Sequence, residues 1–267
     1  MINEIDIDKI VRDRAGKKAK FIPKWLTALL ARIIHQDFIN TYLREGRVGV
    51  DFCKGVVEYV GADVDVEGRE NLPNDGRLCT FVSNHPLGAI DGVTLGWVIG
   101  EHYDGKIKYL VNDILMNIKG LAPMCVPVNV IGGQSRDLPA LIDGAFNSEN
   151  QIIMFPGKLC SRKIDGKIQD LPWGKAFVNK SVQTGRYIVP VHFIGQNSKR
   201  FYRVANLSKK LGIRFNLAML FLPDEMYKAR NSTFTVKVGE PIPPEHFDKG
   251  MSAYEWAQWV REKVYSI

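Results

Sequence analysis

From residue 78 the chain runs through Leu78-Cys79-Thr80-Phe81-Val82, apolar along its whole length, into the polar, glycine-containing turn Ser83 to Gly92. It then continues as Val93-Thr94-Leu95-Gly96-Trp97-Val98-Ile99. A short run without a polar face reads as a buried strand, and the segment after the turn reads as a helix. The alternation recurs. Ile107 to Val111, Met124 to Val128, Gln151 to Pro156, Ile188 to Phe193 and Phe234 to Val238 read as strands. Asp137 to Phe146, Gly174 to Thr184 and Ala253 to Val264 read as helices. Pro127 cannot donate to a ladder and places its strand at an edge or a strand end. Upstream, Asp63 to Glu67 alternates as a strand, whereas Val56 to Val60 fits either a strand or a helix. Strands that alternate with helices throughout a chain specify the α/β class.

At 267 residues, 45% of them hydrophobic and 24% charged, the chain is long enough for one large α/β domain. No linker divides it. Residues 1–46 form a helical N-terminal segment and residues 47–267 the α/β domain. Cys53, Cys79, Cys125 and Cys160 are widely spaced and contain no Cys-x-x-Cys pair, so neither a zinc site nor disulfides are expected, and Cys79 and Cys125 lie in apolar, buried-type runs. Reduced thiols and an acidic start at Glu4, Asp6 and Asp8, without a secretory signal, point to the cytoplasm. No apolar run reaches the about 18 residues needed to span a bilayer. The net charge of +7 points to an anionic partner. Nucleic acid is disfavoured, because no nucleic-acid-binding pattern is present.

Within the N-terminal segment, Lys24 to Ile34 reads as a helix that follows Pro23, and Lys17, Lys18, Lys20, Lys24 and Arg32 gather before and within it. Apolar residues nearly encircle its axis. An interfacial helix at anionic headgroups fits this pattern, and so does a helix packed on its own core with a solvated basic flank.

The turn after the first buried strand carries the chemistry. It delivers His85 and Asp91 on one short loop at a strand's end, where open α/β sheets place their sites. An imidazole with a nearby carboxylate is the minimal kit for general-base catalysis, since the carboxylate fixes the tautomer and stabilises the imidazolium. No serine or cysteine sits in a nucleophile-elbow context, so the base would activate a substrate's own hydroxyl. Two plainer readings stand beside this one: Asp91 as a helix N-cap and His85 as a satisfied structural histidine.

Four blocks follow one another: Asn84-His85 to Asp91, Gly132-Gly133-Gln134-Ser135-Arg136-Asp137, Phe155-Pro156-Gly157-Lys158 and Ile188-Val189-Pro190-Val191. Over roughly residues 78–195 this order resembles the glycerolipid acyltransferase superfamily, the glycerol-3-phosphate and lysophosphatidic acid acyltransferases. It is most similar to a bacterial branch with Asn-His-Pro-Leu-Gly-Gly-x-Asp-Gly, some of whose members carry the label hemolysin while others O-acylate an N-acylated amino acid to make ornithine or glycine lipids. Ile33 to Asn40 also looks like that branch's N-terminal helix.

The resemblance implies a mixed, mostly parallel sheet flanked by helices, behind an N-terminal helical segment. It implies direct attack of an acceptor hydroxyl on the thioester of acyl-CoA or acyl carrier protein, with His85 as base and Asp91 as its orienter. Asn84, Gly88, Gly92, Arg136, Gly157, Lys158, Arg162 and Lys163 are the candidate substrate contacts, with the backbone N–H groups around Gly88 and Gly92 as oxyanion donors. The implied partners are an anionic membrane surface at the inner face of the cytoplasmic membrane, the acyl donor and a lyso-lipid acceptor; neither a metal nor a further cofactor is implied.

Two departures from the wider family stand out. Five residues rather than four separate His85 from Asp91, so the loop must bulge by one. Gly157 stands where the family has its acceptor-binding Glu, with Lys158, Leu159 and Cys160 in place of Gly-Thr-Arg. Lys158, Arg162 and Lys163 supply replacement cations, which suits a carboxylate headgroup better than a phosphate. They fit a surface charge cluster as well, just as Arg136 fits a solvated residue beside a helix start. The bare His–Asp kit also admits a thioesterase or lipid hydrolase, and the altered Phe-Pro-Gly-Lys block admits a non-catalytic, lipid-binding module.

Overall fold

The computed structural model describes residues 4–128, 138–212 and 217–267. The Gly132 to Asp137 block, and with it Arg136, lies outside the described residues. Helices α1 (Ile7–Ala15), α2 (Lys24–Ile33), α3 (Gln36–Leu43) and α4 (Gly49–Val60) precede the first strand, β1 (Asp63–Glu67). Next come β2 (Cys79–Ser83), α5 (Ile90–His102), β3 (Ile107–Val111), β4 (Cys125–Pro127), α6 (Leu138–Phe146) and β5 (Gln151–Met154). A small hairpin, β6 (Arg162–Ile164) and β7 (Lys167–Gln169), leads to α7 (Ala176–Thr184) and β8 (Tyr187–Ile194). The chain closes with α8 (Lys199–Lys210), α9 (Leu222–Lys228), β9 (Thr233–Val238) and α10 (Ala253–Ser266).

Seven strands form one sheet in the order β1-β9-β8-β2-β5-β3-β4. Every neighbouring pair is parallel except β8 with β9. The sheet is therefore mixed and mostly parallel, with β2 near its middle and β4, which carries Pro127, at one edge. All five residues of β2 are buried because helices cover both faces. Successive side chains alternate across the sheet. Phe81 and Val189 enter the core under α4 and α5, while Val82 and Ile188 enter the core under α7 and α10. Cys79, Cys53 and Cys160 are buried, but Cys125 is only half-buried, because its edge strand has a single neighbour to cover it.

Val56 to Val60 proves helical. Phe52, Cys53, Val56, Val57 and Val60 are buried at helical spacing against α5, and Gly61 (φ +67°) ends the helix in a left-handed turn that favours glycine. The N-terminal segment joins the body through α3, whose Tyr42 and Leu43 lie in the main core. His35 reinforces the junction: its Nε2 lies 2.9 Å from an Asp224 oxygen on α9, and its ring stacks on Tyr227 at 3.8 Å. Helix α2 behaves differently. Thr27 is its one buried residue, while Trp25 and Leu29 are 67% and 44% exposed, as is Phe21 just upstream at 75%. No described helix is long and apolar enough to cross a membrane.

Candidate active site

Parallel neighbours β2 and β5 release their loops side by side at the carboxyl end of the sheet, in the crevice where such sheets hold ligands. His85 comes from the first loop and Phe155-Pro156-Gly157-Lys158 from the second. The His85 ring stacks on Phe155 with centroids 4.1 Å apart. Its side chain is 18% exposed, whereas Asp91 is fully buried.

Asp91 lies in the first turn of α5, one residue inside it, and the N-cap position is Ala89. Its Oδ2 lies 3.0 Å from His85 Nδ1 and accepts the Leu87 and Gly88 N–H groups at 2.9 and 3.1 Å; Oδ1 accepts the Gly92 N–H at 2.9 Å. An ionised carboxylate only accepts, so Nδ1 carries the ring hydrogen and Nε2 keeps its lone pair. The five-residue spacing is absorbed at Gly88, whose φ of +78° a side chain would rarely adopt. Thus the carboxylate both ties down the helix entrance and reaches the histidine.

The oxyanion role expected of the Gly88 and Gly92 amides is overturned. The Gly88 and Gly92 N–H groups already donate to Asp91 and are not open to an oxyanion. Burial alone would push Asp91 up, but the His85 charge and the hydrogen bonds from His85, Leu87 and Gly88 outweigh it and hold the carboxyl below its ordinary range. For His85, burial alone would lower the imidazole. The Asp91 charge and hydrogen bond, helped by Asp170, overcome it and hold His85 above its ordinary value.

Asn84 is a scaffold residue rather than an open substrate contact. Its Nδ2 donates to the Phe193 carbonyl at 2.9 Å and its Oδ1 accepts the Phe193 N–H at 2.7 Å, which splices the end of β2 to β8. Lys158 is exposed in a left-handed conformation at φ +65°. Arg162 lies half-buried, its Nη1 donating to the Cys160 and Ser161 carbonyls, and its charge acts on His85. Lys163 falls on the opposite side of β6 by strand alternation and is exposed, so the structure does not bring it together with Arg162. Gly157 is buried and packs against Asp170.

Asp170, Ser161 and Asn197 escaped the sequence reading. The Asp170 Oδ1 accepts the His85 N–H at 3.2 Å and the Ser161 hydroxyl at 2.6 Å; the Ser161 N–H donates to the His85 carbonyl at 2.7 Å. Asn197 Nδ2 donates to the Pro86 and Leu87 carbonyls at 3.2 and 3.3 Å. Local sequence carries no signal for these bonds, since 85 and more residues separate Asp170 and Asn197 from the loop they hold. Trp173 is fully buried, with its Nε1 donating to Asp170. The His192 Nδ1 lies 3.1 Å from the Ile267 carbonyl oxygen, a structural contact. Among the described residues no cluster of ligands could hold a metal ion.

A model of the acyltransferase family matches residues 9–267. Two curated relatives are each named lyso-glycine lipid O-acyltransferase. That of Phocaeicola vulgatus is 52% identical over 98% of this chain and 95% of its own length. That of Bacteroides thetaiotaomicron is 54% identical over 98% and 97%. The crystal structure of the 1-acyl-sn-glycerophosphate acyltransferase of Thermotoga maritima superposes with a TM-score of 0.52 at 21% identity, over 81% of this chain and 77% of that one, a likeness of fold. A family match along almost the whole chain, relatives identical at more than half of their positions and this shared fold agree: the chain belongs to the acyltransferase family and is an acyltransferase.

Proposed function

We propose that this acyltransferase moves a fatty acyl group from an acyl thioester to the hydroxyl of a lyso-glycine lipid, with His85 as general base. The observation that carries the reading is the pair at the end of β2: a buried Asp91 holds His85 by Nδ1 at 3.0 Å, and the partly exposed ring keeps Nε2 for a substrate. In this mechanism Nε2 takes the hydroxyl proton as the oxygen attacks the thioester carbonyl. The tetrahedral intermediate then expels the thiolate, and the imidazolium returns the proton to the sulfur. The thioester is already activated, so orientation and one proton transfer carry most of the work. With the Gly88 and Gly92 N–H groups occupied, Arg162, whose charge acts on His85, is the cation for the oxyanion or the acceptor's carboxylate, and exposed Lys158 on the neighbouring loop is a second candidate for the carboxylate. The acceptor assignment rests on the two relatives' shared name and on Gly157, which supplies no carboxylate of its own to repel that headgroup.

The donor is acyl-CoA or acyl carrier protein, and the acceptor lies in a membrane. Exposed Phe21, Trp25 and Leu29, with Lys17, Lys18, Lys20 and Lys24 around them, form the surface suited to an anionic bilayer at the inner face of the cytoplasmic membrane. A double change of Phe21 and Trp25 to Glu is expected to abolish sedimentation with anionic vesicles; unchanged sedimentation would remove this surface from the proposal.

The decisive experiment incubates the protein with lyso-glycine lipid and each acyl donor and identifies products by mass spectrometry. Diacylated glycine lipid is expected, with His85→Ala lowering its formation by about a thousandfold or more while the fold persists. Free fatty acid formed regardless of acceptor would mean a hydrolase. Full activity in His85→Ala would sink the mechanism.

A further inference from the structure

We propose that Asp170 is a positioning residue for the base: it fixes the backbone of His85 and brings a second carboxylate close to that residue. The proposal rests on the general-base reading of His85. His85 is held through its own peptide groups by a loop far away in sequence, its N–H by Asp170 Oδ1 and its carbonyl by the Ser161 N–H. Ser161 in turn donates its hydroxyl to the same Asp170 oxygen at 2.6 Å, which closes a ring of contacts around the His85 peptide. Trp173 Nε1 donates to the other oxygen at 2.9 Å. Three donors converge on one carboxylate, the pattern of an ionised acceptor.

The surroundings are built to keep that carboxylate in place. The Asp170 N–H donates to the Tyr265 hydroxyl at 2.9 Å, and the Asp170 carbonyl accepts Arg261 Nη2 at 2.8 Å, so α10 pins its backbone. Gly157 makes room for it: a Cβ at that position would lie 3.0 Å from Oδ2 and 3.2 Å from the Asp170 Cβ and Cγ. Asp170 is 1% exposed and cannot touch substrate. Its burial pushes the carboxyl up against its hydrogen bonds, so a charge at this position is held at a cost. The charged groups acting on His85 are thus Asp91 and Asp170, which favour the imidazolium, and Arg162, which opposes it.

Two roles follow for one side chain. Holding the His85 peptide aims Nε2, and misplacement of a catalytic group by about 1 Å is worth roughly a hundredfold in rate. The negative charge helps stabilise the imidazolium formed in the proton transfer. Asparagine removes the charge and keeps the shape but loses the Trp173 bond, so the pH profile rather than stability separates these roles.

The test compares Asp170→Asn and Ser161→Ala with the wild-type protein in acyl transfer to lyso-glycine lipid across pH, with thermal melting alongside. For Asp170→Asn, kcat is expected to fall roughly 10- to 100-fold with KM for both substrates within about twofold. The acid limb of the pH profile should move down by roughly 0.3–1 unit, because the imidazole loses a stabilising carboxylate. Ser161→Ala keeps the charge and loosens the hold, so kcat should fall a few-fold with the limb in place. Wild-type kcat, or a lower kcat with the acid limb unmoved, in a folded Asp170→Asn variant would overturn the proposal. If that variant does not fold, Ser161→Ala decides, and wild-type kcat there overturns it. Activity in His85→Ala would instead remove the general-base reading beneath it.

Discussion

The replacement of Asp91 by Asn tests the site most directly, because it retains the side chain's shape and removes only its charge. Three donors meet at Oδ2: the His85 ring and the Leu87 and Gly88 amides. An asparagine must place its oxygen there, which turns its NH2 group toward the Gly92 N–H that Oδ1 now accepts. Two buried donors then face one another, a loss of about 1–3 kcal/mol in stability. The chemical loss is larger. The imidazolium forms without its buried counter-charge, and the equivalent neutralisation in a serine-protease triad lowers turnover about ten-thousandfold. At about 1.36 kcal/mol per decade this corresponds to roughly 5.5 kcal/mol in the barrier.

Were Asp91 only a helix cap, the same change would cost little stability, since Asn caps a helix about as well as Asp, and it would leave turnover alone. The pH dependence gives a second readout. Asp91 holds His85 above its ordinary value, so the neutral base appears only as pH rises through that raised value. In the variant the acid limb lies at lower pH. Stability follows from both partners: the raised His85 contributes fully below the unfolded histidine value and loses its contribution as pH rises through the folded one. The lowered Asp91 contributes above the unfolded carboxyl value and loses its contribution as pH falls through the folded one. The melting difference between wild type and variant should therefore be largest between about pH 4 and 6.5 and narrow toward alkaline pH. Turnover within tenfold of wild type, or an unmoved acid limb, would refute the orienting role.

Two further predictions use the site and the core. Arg162→Ala should lower kcat/KM for the acceptor by about tenfold, whereas Lys163→Ala, on the other side of the strand, should stay within about twofold; equal effects measured in acceptor titrations would show that both cations serve the site. Arg186, fully buried, donates to the Phe146, Ser148, Asn150 and Cys79 carbonyls, so Arg186→Met should destabilise the protein by about 3–5 kcal/mol in denaturant melts, and a loss under 1 kcal/mol would contradict that burial argument.

Legibility followed the range of the interaction. The buried strand at Cys79–Ser83 and the helix at Ala253–Ser266 lie where their apolar periodicity puts them, because burial of neighbours within one element leaves its imprint in adjacent residues. The end of α4 was ambiguous, since Val56, Val57 and Val60 satisfy a short strand until α5 is known to lie against them. The hairpin of β6 and β7 gave no signal: its strands have three residues each and little apolar content. At the site, His85 and Asp91 could be read because six positions separate them on one loop. Which N–H groups were free could not be read, as it depends on where Asp91 points.

The His85 loop is held from both flanking strands as well as from within. On one side, Asn84 and Asn197 fasten it to the end of β8 and the segment after it. On the other, the loops beyond β5 reach it through Phe155, Ser161 and Asp170. Asp91 gathers its interior amides. None of these contacts uses Nε2, the atom that the proposed mechanism assigns to the substrate. Under the proposed mechanism, a loop fixed this way meets the transition state without reorganising, so folding rather than substrate binding supplies the orientation on which the single proton transfer depends. The same reasoning accounts for the glycine-rich sequence of this stretch. The backbone must turn at Gly88, where a Cβ would meet the Leu222 side chain at 2.7 Å, and approach closely at Gly157, where one would meet the Asp170 carboxylate at 3.0 Å.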